Sequence, residues 1–391
     1  MAPNKQTGKR ILLIFVSITL TVAVFEIGAR LAAILKPRLQ TLGLIKERPV
    51  DPSTLNFYQI PDPHYPNNWL LRPSYALTLQ ETIEGKELTG RTLAVAHLKE
   101  RAAKLQIGLT ERIFQINADG FKGPELDKTH SRLRILTIGD SCTFGTLFDK
   151  YSYPRTLERE LRSKGIETEV VNAGVESYTT GNVLMRIEQF KALRPEIVTI
   201  YIGWNNLFGP EPRIGLDKYS YTYRLLRRTY QKLSGPNVPL SPMEEYTKAK
   251  HVDANAREVR NLEGFVPPFM DDVEEIIKQM QAVNSRVVIV TLPGLLSMSE
   301  KPTDEAVRKG QLPSFTDNPY VLAKLTGQYN AALRQMATRD GLQVIDLERW
   351  SETALIPRDS YFWDSIHPYE EGEEKIGAYM ADEIFNAVRR K

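Results

Sequence analysis

Four short polar stretches of the chain each carry a group that acyl chemistry uses. Gly139-Asp140-Ser141 offers a hydroxyl, and Asn172-Ala173-Gly174 a backbone amide at a glycine. Gly203-Trp204-Asn205-Asn206 adds a side-chain amide, and Asp364-Ser365-Ile366-His367-Pro368 places a carboxylate three residues before an imidazole. A hydroxyl, amide donors and a carboxylate–imidazole pair are the parts an acyl-transfer site needs. They lie far apart in the chain, so a fold must bring them to one edge.

The first three stretches end or follow short, continuous, β-branched runs at 134–141 (RILTIGDS), 170–174 (VVNAG) and 197–203 (IVTIYIG). Two more runs follow at 286–292 (RVVIVTL) and 342–348 (LQVIDLE), and the carboxylate–imidazole stretch comes after the last. Such runs suit strands buried on both faces of a parallel sheet. Helix-period segments fall near 153–164, 178–192, 268–283, 319–339 and 369–389. The alternation predicts a doubly wound, three-layer α/β/α fold on a five-stranded parallel sheet with right-handed crossovers. Ligands of open α/β sheets bind beyond the carboxyl ends of the strands, where the polar stretches fall. Residues 207–265 exceed the roughly 2–6 residues of an ordinary connection and read as an insertion over that edge.

The remainder of the chain bounds what the site can serve. Of 391 residues 42% are hydrophobic and 25% charged, a globular profile, and the one cysteine excludes a disulfide framework or a Cys-cluster metal site. Residues 1–48 carry eight Lys/Arg against two Glu, or +6, so the other residues hold −3 of the net +3. A mildly acidic body makes nucleic acid an unexpected partner. Residues 11–25 contain no charge, Gly or Pro, and the apolar character resumes after Glu26 as far as Leu35. A helix over 11–35 exceeds the roughly 30 Å hydrocarbon core and reads as a transmembrane signal-anchor. Lys5, Lys9 and Arg10 place the tail 1–10 in the cytoplasm and the body outside, periplasmic or extracellular. A cleaved signal peptide is the nearest competitor, but no Ala-x-Ala site follows the run. A buried N-terminal helix of a soluble protein is the third reading. Glu26 and Arg30, four apart, are placed to pair on one helix face. Residues 36–130 then form a membrane-proximal segment packing on the domain 131–391, with a helical stretch near 91–106 and turn chemistry at Asn117-Ala118-Asp119-Gly120.

Taken in order, the four blocks resemble those of the SGNH, or GDSL-type, esterase/lipase superfamily over about 131–391. Gly139-Asp140-Ser141 matches the nucleophile block, Gly174 the second, Gly203-x-Asn205 the third and Asp364-x-x-His367 the last. The segment 117–123 (NADGFKG) is similar to the lead-in of membrane-tethered bacterial members. The resemblance implies a flavodoxin-like fold, with Ser141 as nucleophile, His367 as general base and Asp364 orienting the imidazole. It also implies an oxyanion hole from the backbone amides of Ser141 and Gly174 and the Asn205 side chain, and no metal or organic cofactor. Two positions depart: Cys142 replaces the usual Leu, and Asn206 replaces an Asp that braces the third loop.

The function so implied is a serine esterase cleaving O-acyl esters, with short acyl groups such as acetyl and an extracytoplasmic glycan as the alcohol part. The polar, Pro-rich character of 207–265 and 293–318 offers no long apolar lid and favours the short chain. An O-acyltransferase using the same Ser acyl-enzyme on a polysaccharide is the first alternative. Acetyltransferase relatives place an Asp-x-His block before the serine block, and here the block follows it. A non-catalytic carbohydrate-binding descendant is the second, and the intact Ser, His, Asp and Asn set argues against it. Asp140 reads as a structural residue of the nucleophile turn, and Cys142 as a small buried apolar residue. His64, His97, His130 and His251 show no ligand spacing. The stretch 219–233 (YSYTYRLLRRTYQKL) reads as an amphipathic helix packing on the sheet or as a sugar-stacking or membrane-surface element.

Overall fold

The computed structural model describes residues 49–85, 92–209, 212 and 246–389, with most of 16–31. Residues Val50–Pro210 and Pro242–Lys391 form one compact unit. At its centre lies an all-parallel sheet of β1 (Leu133–Gly139), β2 (Thr168–Asn172), β3 (Ile197–Tyr201), β4 (Arg286–Val290) and β5 (Gln343–Ile345). The spatial order is β5-β4-β3-β1-β2, the doubly wound order whose switch point lies between β1 and β3. Every residue of β2 and β3 is buried, which accounts for the apolar and Thr sequence of β3 and the Val170-Val171 centre of β2. The buried Glu169 of β2 pairs with Arg134 at 2.7 Å. Ile135 of β1 pairs with Val170 on one side and Ile197 on the other.

Helices Tyr153–Ser163 and Glu370–Arg389 pack together, and right-handed crossovers put them on the face opposite the helices within 180–192 and Met270–Gln281. The long helix Pro319–Asp340 starts on an Asn318 cap, with Pro319 in its first turn, and ends on left-handed Gly341. The single helix expected over 178–192 is two, Thr180–Met185 and Ile187–Ala192. Arg186 breaks it, buried with its guanidinium 5.4 Å from the Phe121 ring centre and 5.0 Å from that of Phe190.

The lead-in 50–130 belongs to this unit. There Tyr75–Thr78 pairs antiparallel with Arg112–Ile116, and Lys122 bridges both Ile116 and Asn172 at the end of β2. Of the insertion, Tyr246–Thr247 pairs with Leu312–Pro313 and Arg257–Arg260 is helical; the stretch 219–233 lies outside the described residues. Among the described residues no helix is long and apolar enough to cross a membrane, and the span 11–35 lies partly outside them. The described part of 16–31 is helical. There Arg30 Nε lies 2.9 Å from Glu26 Oε1, the pair the spacing predicts.

Candidate active site

β1 ends at Gly139, and Asp140 turns the chain into the short helix Ser141–Phe144. Asp140 Oδ1 accepts the Cys142 N–H at 3.0 Å, while its carbonyl accepts the Phe144 N–H at 2.9 Å. The carboxyl is fully buried, and burial pushes it up to about 6 against the Cys142 amide. This is the structural part expected of it. Ser141 opens the helix, so its N–H is among the donors a helix start leaves without an intrahelical partner.

Ser141 Oγ lies 2.7 Å from His367 Nε2, and His367 Nδ1 lies 2.7 Å from Asp364 Oδ2. Asp364 Oδ1 accepts the N–H groups of Ile366 at 2.9 Å and His367 at 2.8 Å. The Asp364 side chain therefore shapes the loop that presents the imidazole as well as touching its ring. Burial works against the Asp364 anion, but His367 and these amides outweigh it and hold the carboxyl below its usual range. Burial likewise works against the imidazolium, yet Asp364 raises the His367 pKa above the ordinary 6.5. The indole of Trp363 stacks flat on His367, centroids 4.9 Å apart at 12°. Pro368 bridges to Phe362, and the following helix starts at Glu370.

The other sequence-predicted residues meet the same edge. Asn205 Nδ2 donates to the Tyr178 carbonyl at 2.9 Å, which fixes the amide and leaves its second hydrogen for another acceptor. The Gly174 N–H donates to Asn172 Oδ1 at 2.9 Å, so of the three implied oxyanion donors it is already engaged. A Cβ on Gly174 would fall 2.1 Å from the Phe144 nitrogen, so only glycine lets this loop lie against the Ser141–Phe144 turn. Gly203, at φ +138, is required twice over, since a Cβ there would also meet the Tyr329 ring at 2.6 Å. Asn206 does not leave its loop unbraced as the lost carboxylate suggested. Its Oδ1 accepts the Thr180 N–H at 3.0 Å and its Nδ2 donates to Thr180 Oγ1 at 3.2 Å. Cys142 is buried, donates to the Ile366 carbonyl at 3.3 Å, and has its thiol pKa pushed well up by burial. It has neither exposure nor thiolate character.

Sequence reasoning missed several residues of the lead-in. Lys122 is fully buried, and its ammonium donates to the carbonyls of Phe144, at 2.9 Å, and Thr146. It lies 4.2 Å from the Phe144 ring centre. Burial pushes Lys122 down from the usual lysine range, against Asp149 and Glu373. Glu373, which accepts the Tyr153 N–H at 2.8 Å, is pushed by burial up to about 8. The signal was present in the 117–123 segment. Asn117 Oδ1 accepts the N–H groups of Asp119 and Phe121, both at 3.0 Å, and this turn delivers Lys122 beneath the nucleophile helix. A cleft of about 460 Å³ opens at Ser141 and His367, walled by Leu98, Phe144, Phe148 and Tyr369. Among the described residues no group of three His, Cys, Asp or Glu side chains is placed to hold a metal ion.

Comparison with known proteins follows the same blocks. The model of the GDSL-like Lipase/Acylhydrolase family matches residues 137–375. No curated protein matches the chain. Among solved structures, a protein described as lipolytic and of the G-D-S-L family from Desulfitobacterium hafniense is 14% identical, covering 64% of this chain and 99% of its own, with a TM-score of 0.38. The lipase/acylhydrolase from Enterococcus faecalis is 19% identical over 64% of this chain and 94% of its own, TM-score 0.37. The acetylxylan esterase Axe2 from Geobacillus stearothermophilus is 17% identical over 65% and 94%, TM-score 0.39. With the family model matched over more than half its length, the chain belongs to the GDSL-like lipase/acylhydrolase family, within the SGNH hydrolase superfamily.

Proposed function

We propose that the protein is a serine esterase hydrolysing O-acyl esters through a Ser141–His367–Asp364 triad. The observation that carries the reading is the chain of contacts Ser141 Oγ to His367 Nε2 and His367 Nδ1 to Asp364 Oδ2, each 2.7 Å. As Ser141 Oγ attacks the ester carbonyl, His367 takes the hydroxyl proton, and Asp364 offsets the positive charge this puts on the ring. The carbonyl oxygen becomes an oxyanion facing the Ser141 N–H and the free hydrogen of the Asn205 amide. The Gly174 N–H joins them once it is released from or shared with Asn172. One such donor typically contributes ~3–4 kcal/mol. Collapse breaks the bond to the alcohol oxygen, which leaves with the proton from His367. Water then adds to the acyl-Ser141 ester with His367 again as base, freeing the acid.

The finer reading is a short acyl group such as acetyl, carried on a glycan outside the cytoplasm, with the protein held to the membrane through 11–35. Exposure of Leu20, Val24 and Phe25 on the N-terminal helix supports that attachment, as does the basic flank before it. Full-length protein in detergent should release free acetate from acetylated glycans and aryl acetates. On aryl esters from acetate to octanoate, kcat/KM should not climb. A steady climb, at ~0.8 kcal/mol per methylene, would assign the apolar cleft wall to a longer acyl chain. Acetyl appearing on a glycan instead of as free acid would assign the acyl-enzyme to transfer. A C-terminal alkaline phosphatase fusion should be active, and the protein should resist a carbonate wash. An inactive fusion would reverse the topology, and release in the wash would remove the anchor.

A further inference from the structure

Glu176 belongs to the turn after Gly174, and its side chain lines the same cleft as Ser141 and His367. The lead-in holds it from three sides. Tyr58 Oη and Asn56 Nδ2 both donate to Oε2, and Trp69 Nε1 donates to the Glu176 carbonyl oxygen at 3.2 Å. Tyr58 is itself fixed, stacked on Phe144 with centroids 5.3 Å apart. The next residue, Ser177, sits at φ +64, a left-handed backbone that side-chain-bearing residues adopt at a cost. The molecule thus maintains an unfavourable turn, one donor on the Glu176 backbone and two on its carboxylate at the cleft.

Asp364 already orients His367, and Glu176 reaches the imidazole through its charge, which helps raise the His367 pKa. Its fixed donors are neutral and converge on one oxygen, while a carboxylate has acceptor capacity on both. Burial raises the Glu176 carboxyl from its ordinary value. An acceptor in such a place is costly unless the ligand brings donors. An acyl chain brings none, whereas the alcohol half of an ester brings them if it carries further hydroxyl groups. Trp363 lines the same cleft, is 42% exposed, and is held flat on His367. It supplies an apolar face beside the acceptor, the pairing that suits a ring with polar edges and apolar faces.

We propose that Glu176 selects the alcohol half of the ester, accepting a hydrogen bond from a free hydroxyl of a sugar or similar polyol whose ring face packs on Trp363. This rests on the esterase reading. The test is full-length protein in detergent, wild type, Glu176→Gln and Glu176→Ala, assayed on a mono-O-acetylated methyl glycoside and on 4-nitrophenyl acetate, which has no hydroxyl. The readout is the ratio of the two kcat/KM values. Glu176→Ala should lower the ratio ~10-fold or more, chiefly through the glycoside KM. Glu176→Gln keeps an acceptor oxygen and the contacts to Tyr58 and Asn56, and should lower it less. An unchanged ratio overturns the inference, as do equal losses on both esters, which make Glu176 merely structural. A wild type that cleaves the aryl ester but not the glycoside overturns it while the esterase reading stands. A wild type that cleaves neither removes the esterase reading and the inference with it.

Discussion

Residues 133–375 and residues 50–130 both reach the cleft, in different capacities. The first region supplies the strand ends behind Ser141, Gly174 and Asn205 and the later loop that carries Asp364 and His367, groups whose chemistry is evident from residue type. The second supplies no member of the triad. It contributes Lys122 under the nucleophile helix, Asn56 and Tyr58 on Glu176, and Arg101, whose guanidinium pairs with Glu370 and Glu371 at the start of the last helix. The family match begins at residue 137, so the lead-in lies ahead of it. The contrast teaches that the reacting groups and the groups that hold them still can come from separate stretches of chain.

If that division is right, substitutions of the reacting groups in the first region should abolish turnover, and those in the second should act on stability and selectivity. The largest effect belongs to Ser141→Ala and His367→Ala, each lowering kcat on an acetate ester by about a millionfold, with the double variant no worse than either. Additive losses would separate the two residues. Asp364→Asn should cost ~10⁴ in kcat with the fold intact, because an amide can hold the imidazole in the wrong tautomer. Its pH profile sharpens the point. The base must be neutral to accept a proton, so wild-type kcat/KM should fall as pH drops through a His367 pKa lying above 6.5. Without the anion that raises it, the acid limb of Asp364→Asn should move to lower pH. An unmoved limb would mean that another group titrates.

Lys122→Met tests the second region. It leaves the Phe144 and Thr146 carbonyls without their buried donor and Glu373 without a neighbouring cation, so chemical denaturation should show a loss of about 3–5 kcal/mol. Stability unchanged within error would make the lead-in a bystander. The smallest effect is expected at Cys142→Ala, where a small buried side chain is lost and kcat/KM should stay within about threefold. A loss as large as that of Ser141→Ala would move the nucleophile by one residue.

The parallel sheet was legible because strands buried on both faces must be continuous apolar runs, and all five runs are strands. Three of the four polar blocks were legible because each follows a strand end, and at the switch point of a doubly wound sheet such ends converge. The fourth, 364–368, lies beyond the helix Leu347–Ala354 and was legible from its carboxylate–imidazole spacing. The individual contacts of the lead-in were not, because Lys122, Arg101, Asn56 and Tyr58 act through partners 22 to 270 residues away, a relation that local spacing does not encode. The split at Arg186 was missed for the same reason, since the 178–192 period is helical and only burial against Phe121 and Phe190 breaks it. The Asn206 departure misled in the opposite direction. A lost carboxylate implied a lost brace, but an amide offers both a donor and an acceptor and holds Thr180 through both.

The central claim is that His367 activates Ser141 as the nucleophile. It is tested most directly by treating the native protein with a fluorophosphonate and locating the adduct by peptide mass spectrometry. A single adduct on Ser141, absent from Ser141→Ala and formed far more slowly in His367→Ala, is the expected result. An adduct on Cys142, or labelling of Ser141 at an unchanged rate in His367→Ala, would contradict it.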